Sequence, residues 1–117
     1  MKRDSDLLRE LLLRYESDEK AIFISRITDG SDLKEKSEHY HILLLADKGL
    51  VAAVGQSTFR LTSQGHDFIE ATRDGGIWNK TKSVVAETGG NATIEVLKAL
   101  AIGFLKQKIA KHTGKEF

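Results

Sequence analysis

Three features of the chain predict a helix-rich α+β fold. Leucines at helical spacing open it, a helix stopped by Gly49 runs into two short β-favouring stretches, and a further helix begins at Thr62. Between Ser37 and Ile69 the order is therefore helix, glycine stop, hairpin, helix, the pattern of a winged helix-turn-helix with a small β-hairpin wing. Two extra C-terminal helices follow. The expectation is one domain over residues 1–117, with a winged-helix core at 1–73 and a helical extension at 77–112.

Each element has a local cause. Asp4 is placed to cap a helix over about residues 5–17, whose Leu7, Leu8, Leu11, Leu12 and Tyr15 share one stripe. Ser17-Asp18-Glu19-Lys20 breaks it, and Ala21-Ile22-Phe23-Ile24 reads as an edge strand. Asp29-Gly30-Ser31 turns the chain, and Ser31 or Asp32 caps a brief helix through Lys36. The next helix covers about 38–48 and stops at Gly49, because glycine takes a positive φ without steric cost. Leu50 to Val54 and Thr58 to Thr62 form strands around Gly55-Gln56-Ser57.

Thr62 caps a helix to about Arg73. The pair Gly75-Gly76 separates it from a helix carrying Ile77, Trp78, Val84 and Val85, with Thr81 between them. Gly89-Gly90 is a second break, and Asn91 caps a final helix to about Lys111. Six helices and three strands result. The final helix is apolar around much of its circumference: Ile94, Leu97, Ala101, Phe104, Leu105 and Ile109 line one side, and Val96, Leu100 and Ile102 widen it. Such a helix contacts two surfaces. The second is either another copy, giving a homodimer through 93–111, or the helix at 77–88.

Composition bounds the class. The 117 residues are 40% apolar and 30% charged, an ordinary balance for a globular chain with one core. The absence of cysteine excludes disulfides and thiolate metal sites. No apolar signal-peptide run follows Met1-Lys2-Arg3-Asp4, and no stretch reaches the roughly 20 apolar residues of a membrane span. The longest candidate, Ile94 to Leu105, is interrupted by Glu95 and Lys98. A cytoplasmic protein without a membrane partner is expected.

Net charge is +1 but unevenly spread: residues 1–50 carry nine Lys/Arg against eleven Asp/Glu, and residues 51–117 nine against six. Lys98, Lys106, Lys108, Lys111 and Lys115 are opposed near the end by Glu116 alone. That excess suits nucleic acid or an acidic partner, or else a solvated helix face.

Several segments resemble a known family. Met1-Lys2-Arg3-Asp4 with Leu7-Leu8-Arg9-Glu10-Leu11, and Tyr40-His41-Ile42-Leu43-Leu44-Leu45 with Gly49-Leu50-Val51, are its broader signature. Leu61-Thr62 with Gly65-His66-Asp67-Phe68-Ile69, then Ile77-Trp78-Asn79-Lys80-Thr81-Lys82, are more distinctive. The chain is similar over nearly its whole length to a family of short phage and prophage proteins catalogued as a domain of unknown function. It departs at Ser63, where that family often has tryptophan. The resemblance implies a winged-helix fold and a mobile-element origin, and no activity. The middle segment also resembles winged-helix repressors of the metal-sensing and antibiotic-resistance types, a likeness of fold that carries no function.

Two binding functions fit. For a DNA-binding transcriptional regulator, inward Ile42, Leu45 and Leu50 leave Glu38, His39, Tyr40, Leu43, Ala46 and Asp47 on or near the outer face. His39 and Tyr40 would reach bases or phosphates, with Lys34 and Lys36 just before them, and Gln56, Ser57, Thr58 and Arg60 on the wing. Against this, the reading helix lacks the Arg or Lys that commonly contacts guanine, and Glu38 and Asp47 repel phosphate. The alternative is a non-enzymatic protein-interaction module, a phage-encoded inhibitor or adaptor, for which Leu43 beside Tyr40 and Leu44 supplies an apolar surface. Asn79, Lys80 and Lys82 offer a secondary basic patch, or else Trp78 anchors its helix and the lysines stay solvated.

Catalysis has no constellation. His39 and His41 point to roughly opposite helix faces, and His66 and Asp67 sit at a helix start. Gly75-Gly76 and Gly89-Gly90 lack the strand and lysine of a phosphate loop, and Ser57 and Ser63 lack a recognisable base and acid. No catalytic residue, metal ligand or cofactor is expected.

Overall fold

A computed structural model describes residues 1–90 and 92–114. The elements are α1 (Ser5–Ser17), β1 (Phe23–Ile24), α2 (Leu33–Asp47), β2 (Val51–Gly55), β3 (Thr58–Leu61), α3 (Ser63–Thr72), α4 (Gly75–Glu87) and α5 (Ile94–Thr113). This is a helix-rich α+β chain with one antiparallel sheet in the order β1-β3-β2. Its contacts divide into two compact units, Met1–Ile69 and Glu70–Phe117.

In the first unit, the Asp4 carboxylate accepts from the N–H groups of Asp6 and Leu7, so α1 starts as expected. Leu8, Leu11 and Leu12 are buried along its inner stripe. The edge strand β1 is shorter than Ala21–Ile24. Phe23 holds it in place, stacked on Tyr15 with ring centroids 3.7 Å apart and lying 5.9 Å from Phe59. Partial burial in that stack raises the Tyr15 phenol above its usual pKa.

The expected pair of helices, a brief one through Lys36 and another over 38–48, is instead a single helix α2 capped by Asp32. Among the described residues the count is therefore five helices, not six. Ser37 does not break the helix: serine in a helix interior costs only about 0.5 kcal/mol, and its carbonyl oxygen is bonded to the His41 ring at 2.7 Å. Helix α2 ends in a Schellman motif, with Leu50 N–H donating to the Leu45 carbonyl and Gly49 N–H to that of Ala46. Gly49 has the left-handed φ, +74°, that this stop requires.

The hairpin β2–β3 turns at Gln56-Ser57, with Gly55 opposite Thr58 and Ala53 opposite Phe59. The irregularity between them leaves Val54 outside the pairing and exposed. After β3, Thr62 does three things: its hydroxyl donates to the Gly49 carbonyl, its Oγ1 accepts from Gly65 N–H, and its own N–H donates to Leu50. A Cβ on Gly65 would lie 2.1 Å from the Leu50 carbonyl oxygen. The Leu-Thr and Gly box is thus explained by packing of α3 against the strand entrance.

In the second unit, Gly75 and Gly76 do not form a linker. They occupy the first turn of α4, and Asp74 caps it by accepting from Gly76 and Ile77. Glycine there costs about 1 kcal/mol of helix propensity, which the Asp74 cap offsets. Asp74 also pairs with Lys108 of α5. Ala71, Ile77 and Ala101 form a buried cluster, with Ile102, Phe104 and Leu105 packed against it. The expected cap Asn91 lies outside the described residues, as do Lys115 and Glu116 of the basic end; Thr93 caps α5 by accepting from Val96. Among the described residues no helix is long and apolar enough to cross a membrane.

Candidate interaction surface

Helix α2 has two unlike faces. Inward are His41, Ile42 and Leu45, all buried. Outward, at steps of three and four, come Leu33, Lys36, Tyr40, Leu43 and Asp47, all exposed. Leu33 is 80% exposed, Tyr40 37% and Leu43 42%, an apolar stripe with a lysine toward one end and an aspartate at the other.

The flanks of α2 are already committed. Arg14 of α1 makes two hydrogen bonds to Glu38, at 2.9 and 3.1 Å, and one to Glu10 at 3.3 Å. The Glu38 hydrogen bond is the main cause holding the Arg14 guanidinium above its usual pKa. Glu38 is thus a paired carboxylate and not an open anion on the outer face. His39 is half-buried, its Nδ1 2.8 Å from the Ser25 hydroxyl. Of the two residues expected to reach a ligand from this turn, Tyr40 stands outward and His39 is held at the flank.

The hairpin residues are spread. Gln56 and Arg60 are exposed, while Ser57 and Thr58 are half-buried. The Ser57 carbonyl accepts from Ser25 N–H at 2.9 Å, which fixes the turn to the end of β1. Arg60 donates to the Leu61 carbonyl at 3.1 Å. It also borders an open cavity of about 400 Å³ shared with Glu16, Asp18, Glu19, Lys20 and His66, so its surroundings are mixed in charge and not a basic groove. Lys34 and Lys36 are exposed on the first turns of α2.

The second set does not form one patch. Thr81 is buried and bonded to the Ile77 carbonyl, which puts Lys80 and Lys82 on either side of it. Lys80 lies 4.7 Å over the Phe104 ring and Lys82 6.0 Å over Trp78. Asn79 is exposed and Trp78 buried. The ammonium groups cover aromatic faces, a weak attraction of about 0.5–1 kcal/mol each at exposed sites. Among the described residues no group of three or more His, Cys, Asp or Glu is placed to hold a metal ion.

What sequence reasoning missed here is the neighbouring apolar edge. Ile22, Ile24 and Ile27 are exposed beside and after β1, which is an edge strand. Alternation around Phe23 carried that signal, since Phe23 inward sends its neighbours outward.

Comparison with known proteins bears on the lineage. A relative from Haemophilus influenzae (strain ATCC 51907 / DSM 11121 / KW20 / Rd), named "Uncharacterized protein", is 29% identical over 119 residues, covering 94% of this chain and 100% of its own. No solved structure matches. Residues 2–91 match the family described as "Hypothetical protein (DUF2513)", a domain of unknown function as the sequence resemblance implied. The match takes in α1, α2, the hairpin, α3 and α4, and the chain belongs to that family.

Proposed function

We propose that this chain is a non-enzymatic, winged-helix-type interaction module that docks a polypeptide on the outer face of α2. Support for the winged-helix reading comes from the sheet order β1-β3-β2, with a helix before the hairpin and another after it. The helix-turn-helix is reduced: a loop through Thr28 to Ser31 stands where the first of the two helices would be.

One observation carries the choice of partner. The most outward residues of α2 include Leu33, Tyr40 and Leu43, in a unit whose residues 1–69 hold 10 Lys/Arg against 12 Asp/Glu. Nucleic-acid affinity comes chiefly from phosphate neutralisation, which a net −2 unit serves poorly. An aromatic and aliphatic stripe with charges at its ends suits a protein interface. The mobile-element origin implied by the resemblance admits a host or phage protein among such polypeptides.

Nucleic acid is the second reading, favoured by exposed Lys34, Lys36 and Arg60 and by the neutralisation of Glu38 by Arg14. Titration with random-sequence duplex at low salt, alongside capture from host lysate, separates the two. Capture of a stoichiometric partner by wild type and not by Leu43→Asp is the expected result. Tight duplex binding that Lys36→Ala with Arg60→Ala abolishes, with capture unaffected by Leu43→Asp, would overturn the polypeptide reading.

A further inference from the structure

Within the outer stripe of α2, the four positions Lys36, Tyr40, Leu43 and Asp47 are spaced alike from either end, with apolar residues at the middle and charges outside, while Leu33 lies beyond them. Tyr40 and Leu43 are centred on the point between His41 and Ile42, and so are Lys36 and Asp47. Antiparallel helices packed through positions at alternating steps of four and three meet in such mirrored pairs. Turning a second copy about a two-fold axis at that point sets Tyr40 against Leu43 of the other copy twice. It also sets Lys36 against Asp47 twice.

From this we infer that the α2 face packs antiparallel on a second copy of this chain. The inference rests on the polypeptide-docking reading and names its partner. A two-fold interface is self-complementary, each patch meeting itself reversed. Here the apolar pair sits at the centre and opposite charges close both ends, so the antiparallel register is favoured and the parallel one brings lysine to lysine. All four side chains are exposed in the single chain. The helix is 15 residues long, about 22 Å, so the contact is smaller than the about 1,200 Å² of a standard interface. Self-association is expected on the order of 100 µM.

Sedimentation equilibrium of the full chain tests it by charge exchange. Lys36→Glu alone and Asp47→Lys alone each put like charges at both ends and should weaken association about tenfold or more. The double variant Lys36→Glu/Asp47→Lys should restore it, and mixing the two single variants should give a heterodimer stronger than either alone. Leu43→Asp should abolish association, while Val96→Asp on α5 should not. The inference is overturned if wild type stays monomeric to about 1 mM, if the double variant fails to recover although circular dichroism shows it folded, or if Val96→Asp is the disruptive change, which would move the dimer to α5. A monomeric wild type whose lysate partner is still lost on Leu43→Asp would remove this inference and leave the docking reading standing. Loss of both would remove both.

Discussion

The buried His41 ring on α2 joins the start of the chain to the middle of the helix: its Nε2 accepts the backbone N–H of Asp4 at 2.8 Å. The other nitrogen, Nδ1, lies 2.7 Å from the Ser37 carbonyl, which can only accept. Nδ1 is therefore the donor of that bond. The residue that caps α1 with its carboxylate is itself held by α2 through its amide, so helix start and helix packing are one arrangement.

Removing that ring should cost more than its volume. His41→Ala leaves the Asp4 N–H without its partner and opens a cavity in a site 1% exposed; a loss of about 2–4 kcal/mol is expected. Urea denaturation of the variant checks it, and a loss below about 1 kcal/mol would mean the site relaxes and rehydrates.

Gly65→Ala drives a methyl group into backbone, because its Cβ meets the Leu50 carbonyl oxygen and not a movable side chain. About 3 kcal/mol of destabilisation is expected. Gly103 is the control: it is exposed in α5 with nothing within 4 Å of a Cβ. Gly103→Ala should stabilise by about 0.5–1 kcal/mol through helix propensity. Opposite signs in two thermal melts are the readout.

Thr62→Val keeps the shape of the side chain and deletes its hydroxyl. The loss removes the acceptor for Gly65 N–H and the donor to Gly49, and about 1–2 kcal/mol is expected. Thr62→Ser should recover most of it, since either hydroxyl caps a helix. A Val variant as stable as wild type would show the two bonds to be replaceable by water.

Asp74 sets a pH dependence of known sign. The Lys108 hydrogen bond, then the Ile77 and Gly76 amides, hold its carboxylate below the usual pKa of 3.8. A depressed carboxylate adds stability above its unfolded pKa and loses it as pH falls through the folded value. Asp74→Asn retains a capping oxygen but not the charge. Its urea midpoint should lie slightly below wild type at neutral pH, and the gap should close as pH falls through the depressed folded value. High salt should narrow the gap as well, because the pair is solvent-accessible.

Elements with a local cause were legible in the chain. Asp4 capping α1, the Gly49 stop, the hairpin and the Thr62 cap each depend on residues within a few positions of one another. Where the reading erred, at Ser37 and at Gly75-Gly76, weak breakers sat inside helices whose caps, Asp32 and Asp74, were the stronger signals. The candidate surface was legible in part: periodicity placed Tyr40 and Leu43 outward, as observed. It could not show that Glu38 is consumed by Arg14, 24 positions away, or His39 by Ser25, 14 away.

By itself, then, the sequence determined those starts and stops that have a local cause, the Asp4 cap, the Gly49 stop, the hairpin and the Thr62 cap, because capping, glycine φ and side-chain period act over one or two turns. Tertiary structure alone decided which charges and rings remain open to a partner. That follows from pairings between residues distant in the chain, which close Glu38, His39 and His41 and leave the Leu33, Tyr40 and Leu43 stripe uncovered.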